Sequence, residues 1–391
     1  MTHYCTEALA ALGGPRSTAR ISSIALAAAC ELRCGTGGKA PQDLLGDFTG
    51  LWRMFMPDLE CAPFLEAVSR VEIPATLRSD REQYLSLQHS VPSFLVRDWL
   101  RRFGDEETVL LCQAINGPAP VTIRVNTLKC SVDECRAALQ GESIESRPAP
   151  LAPSGLTLSK RINVQGVHAF KQGWFEMQDE GSQILSFLAG ARPGMVVIDA
   201  CAGGGGKSLH LAALMENRGS LIALDVDRAK LANFEERARR AGVTIARTVA
   251  APPDADPNEL RGVLADVVFV DAPCSGTGTL RRSPWLKLTL TEESVEPLMR
   301  IQRALLDHYA ALVKPGGRLV YATCSLFERE NQAVAAAFLS EHGEFASLAV
   351  RDAAGDAKLP PGDAAAGGYL ELLPHRTGTD GFFAAVMIRK P

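Results

Sequence analysis

Residues Met195–Ser208 read MVVIDACAGGGGKS: an apolar strand that runs into four consecutive glycines and then into a helix from Lys207. In that arrangement backbone amides and a helix N-terminus face a ligand at the carboxyl end of a strand. Asp225 closes the next apolar run, SLIALD, about 20 residues past the glycines, where a carboxylate can accept both hydroxyls of a ribose. A nucleoside cofactor is implied. The contiguous Gly203, Gly204, Gly205 and Gly206 lack the G-x-G-x-x-G spacing of a dinucleotide loop, and no glycine precedes the Gly206-Lys207 pair as a P-loop requires. S-adenosylmethionine, which has no pyrophosphate, fits better.

Outward from this loop, strands and helices alternate from Gly173 onward: SLIALD, TIARTV, DVVFVD, GRLVYAT and FFAAVMI are separated by helical segments. Continuous apolar strands alternating with helices predict an α/β domain with a mostly parallel sheet covered on both faces. Upstream, VTIRVNTL and GLTLSKRINV alternate at strand period and predict a small α+β module. Before it the pattern is helical: Leu95, Val96, Trp99, Leu100 and Phe103 recur at helical spacing, and Gly104 with Asp105 supplies a stop and a fresh start. The expected divisions are 1–118, 119–172 and 173–391. DAAGDAKLPPGDAAAGG, from Asp352 to Gly368, is expected to be a flexible surface loop.

A chain of 391 residues suits two or three domains, and 46% hydrophobic with 22% charged residues excludes wholesale disorder. The apolar run Ile24–Cys30 is far short of the roughly 20 residues that a membrane span needs, and Ser17–Cys34 reads as an amphipathic helix. The ten cysteines form no paired C-x-x-C spacing; Cys30 and Cys34 have no second pair to complete a zinc site, so no metal is expected. A disulfide framework does not suit so large a chain, which points to a reducing cytoplasm. A net charge of −4 argues against a surface that attracts nucleic acid everywhere, though not against a local basic stripe. A monomer is expected.

DAPCSGTG and YATCS place Asp271 at the end of one strand, Cys274 three residues on, and Cys324 at the end of the next. In a parallel sheet all three converge beside the cofactor loop. Carbon-5 of cytosine is a poor nucleophile until a thiolate adds to carbon-6 and makes carbon-5 enamine-like. A carboxyl group beside the ring can stabilise the altered charge at nitrogen-3, and a base must then remove the carbon-5 proton. Three groups are needed, and three are present. Spacing does not decide which thiol attacks.

With QDEGSQ (Gln178–Gln183), DACAGGGGKS, ALDVDR, DAPCSGTG, YATCSLFERENQ, the terminal DGFF and the upstream IRVNTLK (Ile123–Lys129), the chain from about Val91 onward closely resembles the Nop/Sun RNA cytosine-5 methyltransferases of RsmB type. The resemblance implies a Rossmann-like class I methyltransferase domain with a seven-stranded sheet. It implies Cys324 as nucleophile, Cys274 in product release and Asp271 at the target base and the cofactor. It implies that Cys201, Ala202, the four glycines and Lys207 hold S-adenosylmethionine, together with Asp225 and Arg228 of ALDVDR. It also implies an RNA-binding role for the small module, with Arg124 and Asn126, and a NusB-like domain for the preceding helices. The family loop usually reads Ala-Pro where this chain has Gly203 and Gly204; the added flexibility is expected to weaken cofactor binding. An acidic residue near the adenine is replaced by AAPPDADP, with Asp254 or Asp256 as candidates. Arg281, Arg282 and Lys287 suit a phosphate grip or a solvated cluster equally well. Ribosomal RNA is the leading substrate. Transfer RNA, DNA with Cys274 as attacker, and a non-catalytic RNA-binding assembly factor are the alternatives.

Overall fold

A computed structural model describes residues 2–12, 29, 40–55, 59–252, 258–360 and 368–391. The Ser17–Cys34 helix, Cys30, Cys34, Asp254 and Asp256 fall outside the described residues, Ala29 excepted. The chain divides into two compact units, Met1–Pro118 with Leu280–Thr289, and Ala119–Thr279 with Leu290–Pro391.

The first unit is helical. Cys61–Arg70 buries Phe64, Leu65 and Val68 on one face, and Trp52 of Pro41–Phe55 packs on Phe64 with ring centroids 4.9 Å apart. In Ser93–Asn116 the buried Leu95, Val96 and Trp99 lie before a break at Gly104, whose φ of 76° only glycine adopts readily. The helix restarts there, with Thr108 Oγ1 donating to the Gly104 carbonyl at 2.6 Å.

The second unit contains two sheets. The smaller is antiparallel, in the order β2-β3-β1-β4, from β1 (Val121–Val125), β2 (Ser146–Pro148), β3 (Gly155–Leu158) and β4 (Phe175–Met177). Its fourth strand lies past residue 172, because Arg124 in β1 pairs with Glu176. The helix Val132–Gly141 is started by a capping box in which the Ser131 and Glu134 side chains each bond the other's backbone amide.

The larger sheet runs β10-β12-β9-β8-β5-β6-β7, from β5 (Val196–Asp199), β6 (Ser220–Asp225), β7 (Ala246–Ala250), β8 (Ala265–Asp271), β9 (Val313–Thr323), β10 (Phe345–Leu348) and β12 (Phe382–Arg389). β11 (Tyr369–Leu372) adds an eighth strand by pairing with β12. β7, β6, β5, β8 and β9 are parallel; β12 pairs antiparallel with β9. Both faces are buried, since successive residues of β8 enter opposite cores: Val267 and Phe269 one, Val268 and Val270 the other. The parallel strands end together, so Asp199, Asp225, Asp271 and Thr323 share one edge. The loop expected from Asp352 differs: Val350–Ala353 is a short helix, and Ala353, Ala354 and Ala357 are buried in the main core. Residues 361–367 are not described. Among the described residues no helix is long and apolar enough to cross a membrane.

Candidate active site

The glycine loop is shaped by close contacts at the end of β5. Gly205 has φ 79° and precedes the helix Gly206–Leu214; a Cβ there would stand 1.9 Å from Phe234 Cδ2, so no other residue fits. Gly203, with φ 55°, donates its amide to Asp225 Oδ2 at 2.8 Å, while Asp225 Oδ1 accepts from the Asp227 amide at 2.9 Å. Asp225 is thereby fixed at the tip of β6.

Asp199, which sequence reading passed over, is fully buried and accepts from Ser208 Oγ at 2.6 Å, tying the strand to the first turn of the helix. Burial pushes its carboxyl from 3.8 up to about 7, against the opposing Ser208 hydrogen bond. A folded-state pKa raised in this way favours the native state most where Asp199 is protonated, and that contribution is lost as pH rises from about 4 through about 7. Asp199→Asn is therefore expected to gain stability relative to wild type across that window. Urea denaturation at pH 5 and pH 8 checks it; an unchanged difference between the two pH values would refute it.

Beside the loop lies a cavity of about 380 Å³, lined by Ala200, Cys201, Gly203, Asp225, Val226, Lys230, Ala251, Asp271, Pro273, Ile301, Leu305 and Tyr309. Val226, Ile301, Leu305 and Tyr309 provide an apolar wall suited to an adenine, and Asp225 provides the carboxylate suited to a ribose. These residues fit S-adenosylmethionine. Burial, then the charges of Asp199, Asp271 and Asp225, push the Cys201 thiol up, which leaves it a neutral part of the wall. Arg228 is exposed at the start of its helix and does not line the cavity; Lys230 does, and the helix Glu296–Ala310 contributes three residues that the sequence motifs did not flag.

At the same edge Lys207 Nζ donates to Asp271 Oδ2 at 2.6 Å. Burial works to lower the Lys207 pKa, but the charge and hydrogen bond of Asp271 outweigh it and hold the ammonium above its ordinary range. Cys274 Sγ and Cys324 Sγ are 3.4 Å apart, both half-buried. The hydrogen bond to Cys324 first, then burial, then the charges of Cys324 and Glu330 push the Cys274 thiol well above its usual value.

Glu330 holds the two cysteine loops together. It is fully buried; its carboxylate accepts from the Ser275 amide at 2.9 Å, Gln302 Nε2 at 2.9 Å, and the hydroxyls of Ser275 and Ser325. Asn331 adds a second tie, accepting from Thr323 Oγ1 at 2.6 Å and donating to the Ser325 carbonyl at 2.9 Å. Gly278 donates to the Cys324 carbonyl and accepts from the Gly381 amide, each at 2.8 Å, and a Cβ on Gly278 would stand 2.1 Å from the Gly381 oxygen. The glycines of DAPCSGTG and DGFF thus permit backbone-on-backbone packing.

The RNA contacts assigned to Arg124 and Asn126 are corrected. Arg124 is 1% exposed and donates from Nε to Gln178 Oε1 at 2.7 Å; Asn126 is 3% exposed and donates to the carbonyls of Gly173 and Ala241. Both join the small module to the larger domain from inside, where no phosphate reaches. Ala202 is buried against Phe234. Arg281 and Arg282 belong to the first unit. Among the described residues no cluster of His, Cys, Asp and Glu suits a metal ion.

The family model described as "16S rRNA methyltransferase RsmB/F" matches residues 187–388, and one for an RsmF/B-like ferredoxin-like domain matches 91–165, a span that takes in the helix Ser93–Asn116. The chain is 34% identical over 327 residues to a probable ribosomal RNA small subunit methyltransferase B of Bacillus subtilis, covering 83% of this chain and 72% of that protein. Its fold is similar to the crystal structure of PH0851, at TM-score 0.75 and 29% identity, covering 93% of this chain and 81% of that one. NSun6 from Pyrococcus horikoshii with SFG, 22% identical at TM-score 0.68 and covering 77% of this chain and 98% of that one, shares the fold. The paired thiols, the cofactor loop and these matches lead to one assignment: the chain belongs to the RsmB/F family of S-adenosylmethionine-dependent 16S rRNA methyltransferases.

Proposed function

We propose that this chain methylates carbon-5 of a cytosine in small-subunit ribosomal RNA through a covalent adduct on Cys324. The observation that carries the reading is the 3.4 Å separation of Cys274 and Cys324, beside the Lys207–Asp271 pair at the cavity edge. S-adenosylmethionine supplies the methyl group on a positive sulfur. The loop from Cys201 to Lys207 and Asp225 hold it, and Asp271 orients the edge of a base flipped from the RNA.

Cys324 Sγ adds to carbon-6 of the ring. As the carbon–sulfur bond forms, the charge passes from sulfur into the ring, where the Asp271 carboxyl group can stabilise it at nitrogen-3, and the hydrogen bond and charge that held Cys274 protonated are lost. Cys274 ionises more readily in the adduct than in the free enzyme, and so becomes a base for the carbon-5 proton. Once carbon-5 carries the methyl group as well as its proton, loss of that proton restores the aromatic ring and expels Cys324. The two thiols thus exchange roles as the adduct forms and breaks.

Arg281 and Arg282 follow the Cys274 loop directly in the chain and are assigned to RNA phosphate. One chain supplies both thiols and both carboxylates of the site, which supports action as a monomer. The free cysteines among the described residues support a reducing, cytoplasmic setting. Incubation with radiolabelled S-adenosylmethionine and purified small-subunit rRNA, transfer RNA or DNA is expected to label only the rRNA, at cytosine carbon-5. Label confined to transfer RNA or DNA would overturn the substrate assignment.

A further inference from the structure

Four glycines in a row carry no side chain that could fix their own loop, and glycine loses more conformational freedom on ordering than any other residue. Gly203 is tied to Asp225, and Gly205 is confined by Phe234. Gly204, between them, is held from outside the loop. Arg237 of the helix Arg228–Ala241 donates from Nη1 to the Gly204 carbonyl, and the same nitrogen stands 3.2 Å from where a Gly204 Cβ would be. The rest of the guanidinium is fixed by Glu176 in β4, whose Oε2 accepts from Arg237 Nη2 at 3.0 Å and Nε at 3.3 Å. Glu176 is 3% exposed, and its other oxygen accepts from Arg240, whose guanidinium lies 4.0 Å over the Phe170 ring.

We propose that Arg237, anchored by Glu176, is a positioning residue of the cofactor site: it fixes the Gly204 carbonyl and so sets the glycine loop in the shape that receives S-adenosylmethionine. This rests on the assignment of that loop to the cofactor. A planar guanidinium can grip the carboxylate with one edge and the carbonyl with a remaining N–H; the point charge of a lysine cannot hold both at that spacing. The strand that supplies the anchor belongs to the small sheet, so that sheet contributes to cofactor binding without touching the cofactor.

Calorimetric titration of the full-length chain with S-adenosylmethionine tests this. Arg237→Lys, which keeps a positive charge beside the buried Glu176, is expected to fold normally yet raise Kd about tenfold, the size of one lost charge-assisted hydrogen bond. Under turnover its KM for S-adenosylmethionine rises and its kcat at saturation stays near wild type. Gly204→Ala is expected to weaken binding in the wild-type background, where its Cβ meets Arg237. In an Arg237→Ala background the same change is expected to recover part of the lost affinity, by stiffening a loop that has lost its clamp. Arg237→Lys binding within about twofold of wild type, or Gly204→Ala acting equally in both backgrounds, would overturn the proposal. If Arg237→Ala fails to fold, Arg237→Lys decides alone. Failure of the wild-type chain to bind S-adenosylmethionine would instead strike the cofactor assignment, for which Asp225→Ala is the negative control.

Discussion

Cys324→Ala is expected to abolish methyl transfer, with a loss of roughly four orders of magnitude or more, as follows from deleting the nucleophile of a covalent mechanism. Cys274→Ala is expected to fail differently. The adduct still forms, because Cys324 still attacks, but the group beside it that can take the carbon-5 proton is gone. A protein–RNA species that survives denaturing electrophoresis should therefore accumulate with Cys274→Ala and be absent with Cys324→Ala. The contrast between the two variants is the informative result, since loss of activity alone would follow from any damage to the site. Normal turnover by Cys274→Ala would show that the 3.4 Å contact between the sulfurs has no part in the chemistry.

The second large effect is expected from Glu330, which touches neither substrate nor cofactor. Its carboxylate is the common acceptor for Ser275, Ser325 and Gln302, so it holds the loop of Cys274 against the loop of Cys324. Glu330→Ala strands those donors in a buried space and is expected to cost about 3 kcal/mol of stability. Glu330→Gln preserves the shape but replaces one acceptor oxygen with a donor that faces other donors. It is expected to lower single-turnover kcat about a hundredfold by misplacing the sulfurs, with affinity for RNA unchanged. Rapid-quench measurement of adduct formation would show the defect. A Glu330→Gln enzyme that forms adduct at the wild-type rate would refute the positioning role.

The parallel core was legible because β5, β6 and β8 are buried on both faces and so read as unbroken apolar runs, while the glycine loop and the strand-end residues Asp225 and Asp271 are local signals. Other features are set by partners far along the chain. Arg124 and Asn126 look like exposed polar residues in an alternating strand, but Gln178, Gly173 and Ala241 bury them. The alanine- and glycine-rich stretch after Asp352 has the composition of a loop, yet alanine is small enough to pack tightly on the sheet, and Ala353, Ala354 and Ala357 do. QDEGSQ was recognisable as a motif without its purpose being readable: Asp179 caps the helix Glu180–Leu188 and accepts from the Asp380 amide, and Glu180 accepts from the Ala152 amide. The contact between the two cysteine sulfurs, 50 residues apart, and the carboxylate behind Cys274 are likewise features that spacing does not reveal.

The buried Glu330 also governs how this region comes apart. The amides of Ser275, Gly278, Leu326 and Gly381 bond across the two cysteine loops and the start of β12 rather than within any one of them. No single segment can peel away while the others stay. Under native conditions these amides should exchange with deuterium at one common rate, as a block whose opening demands that both catalytic turns melt together.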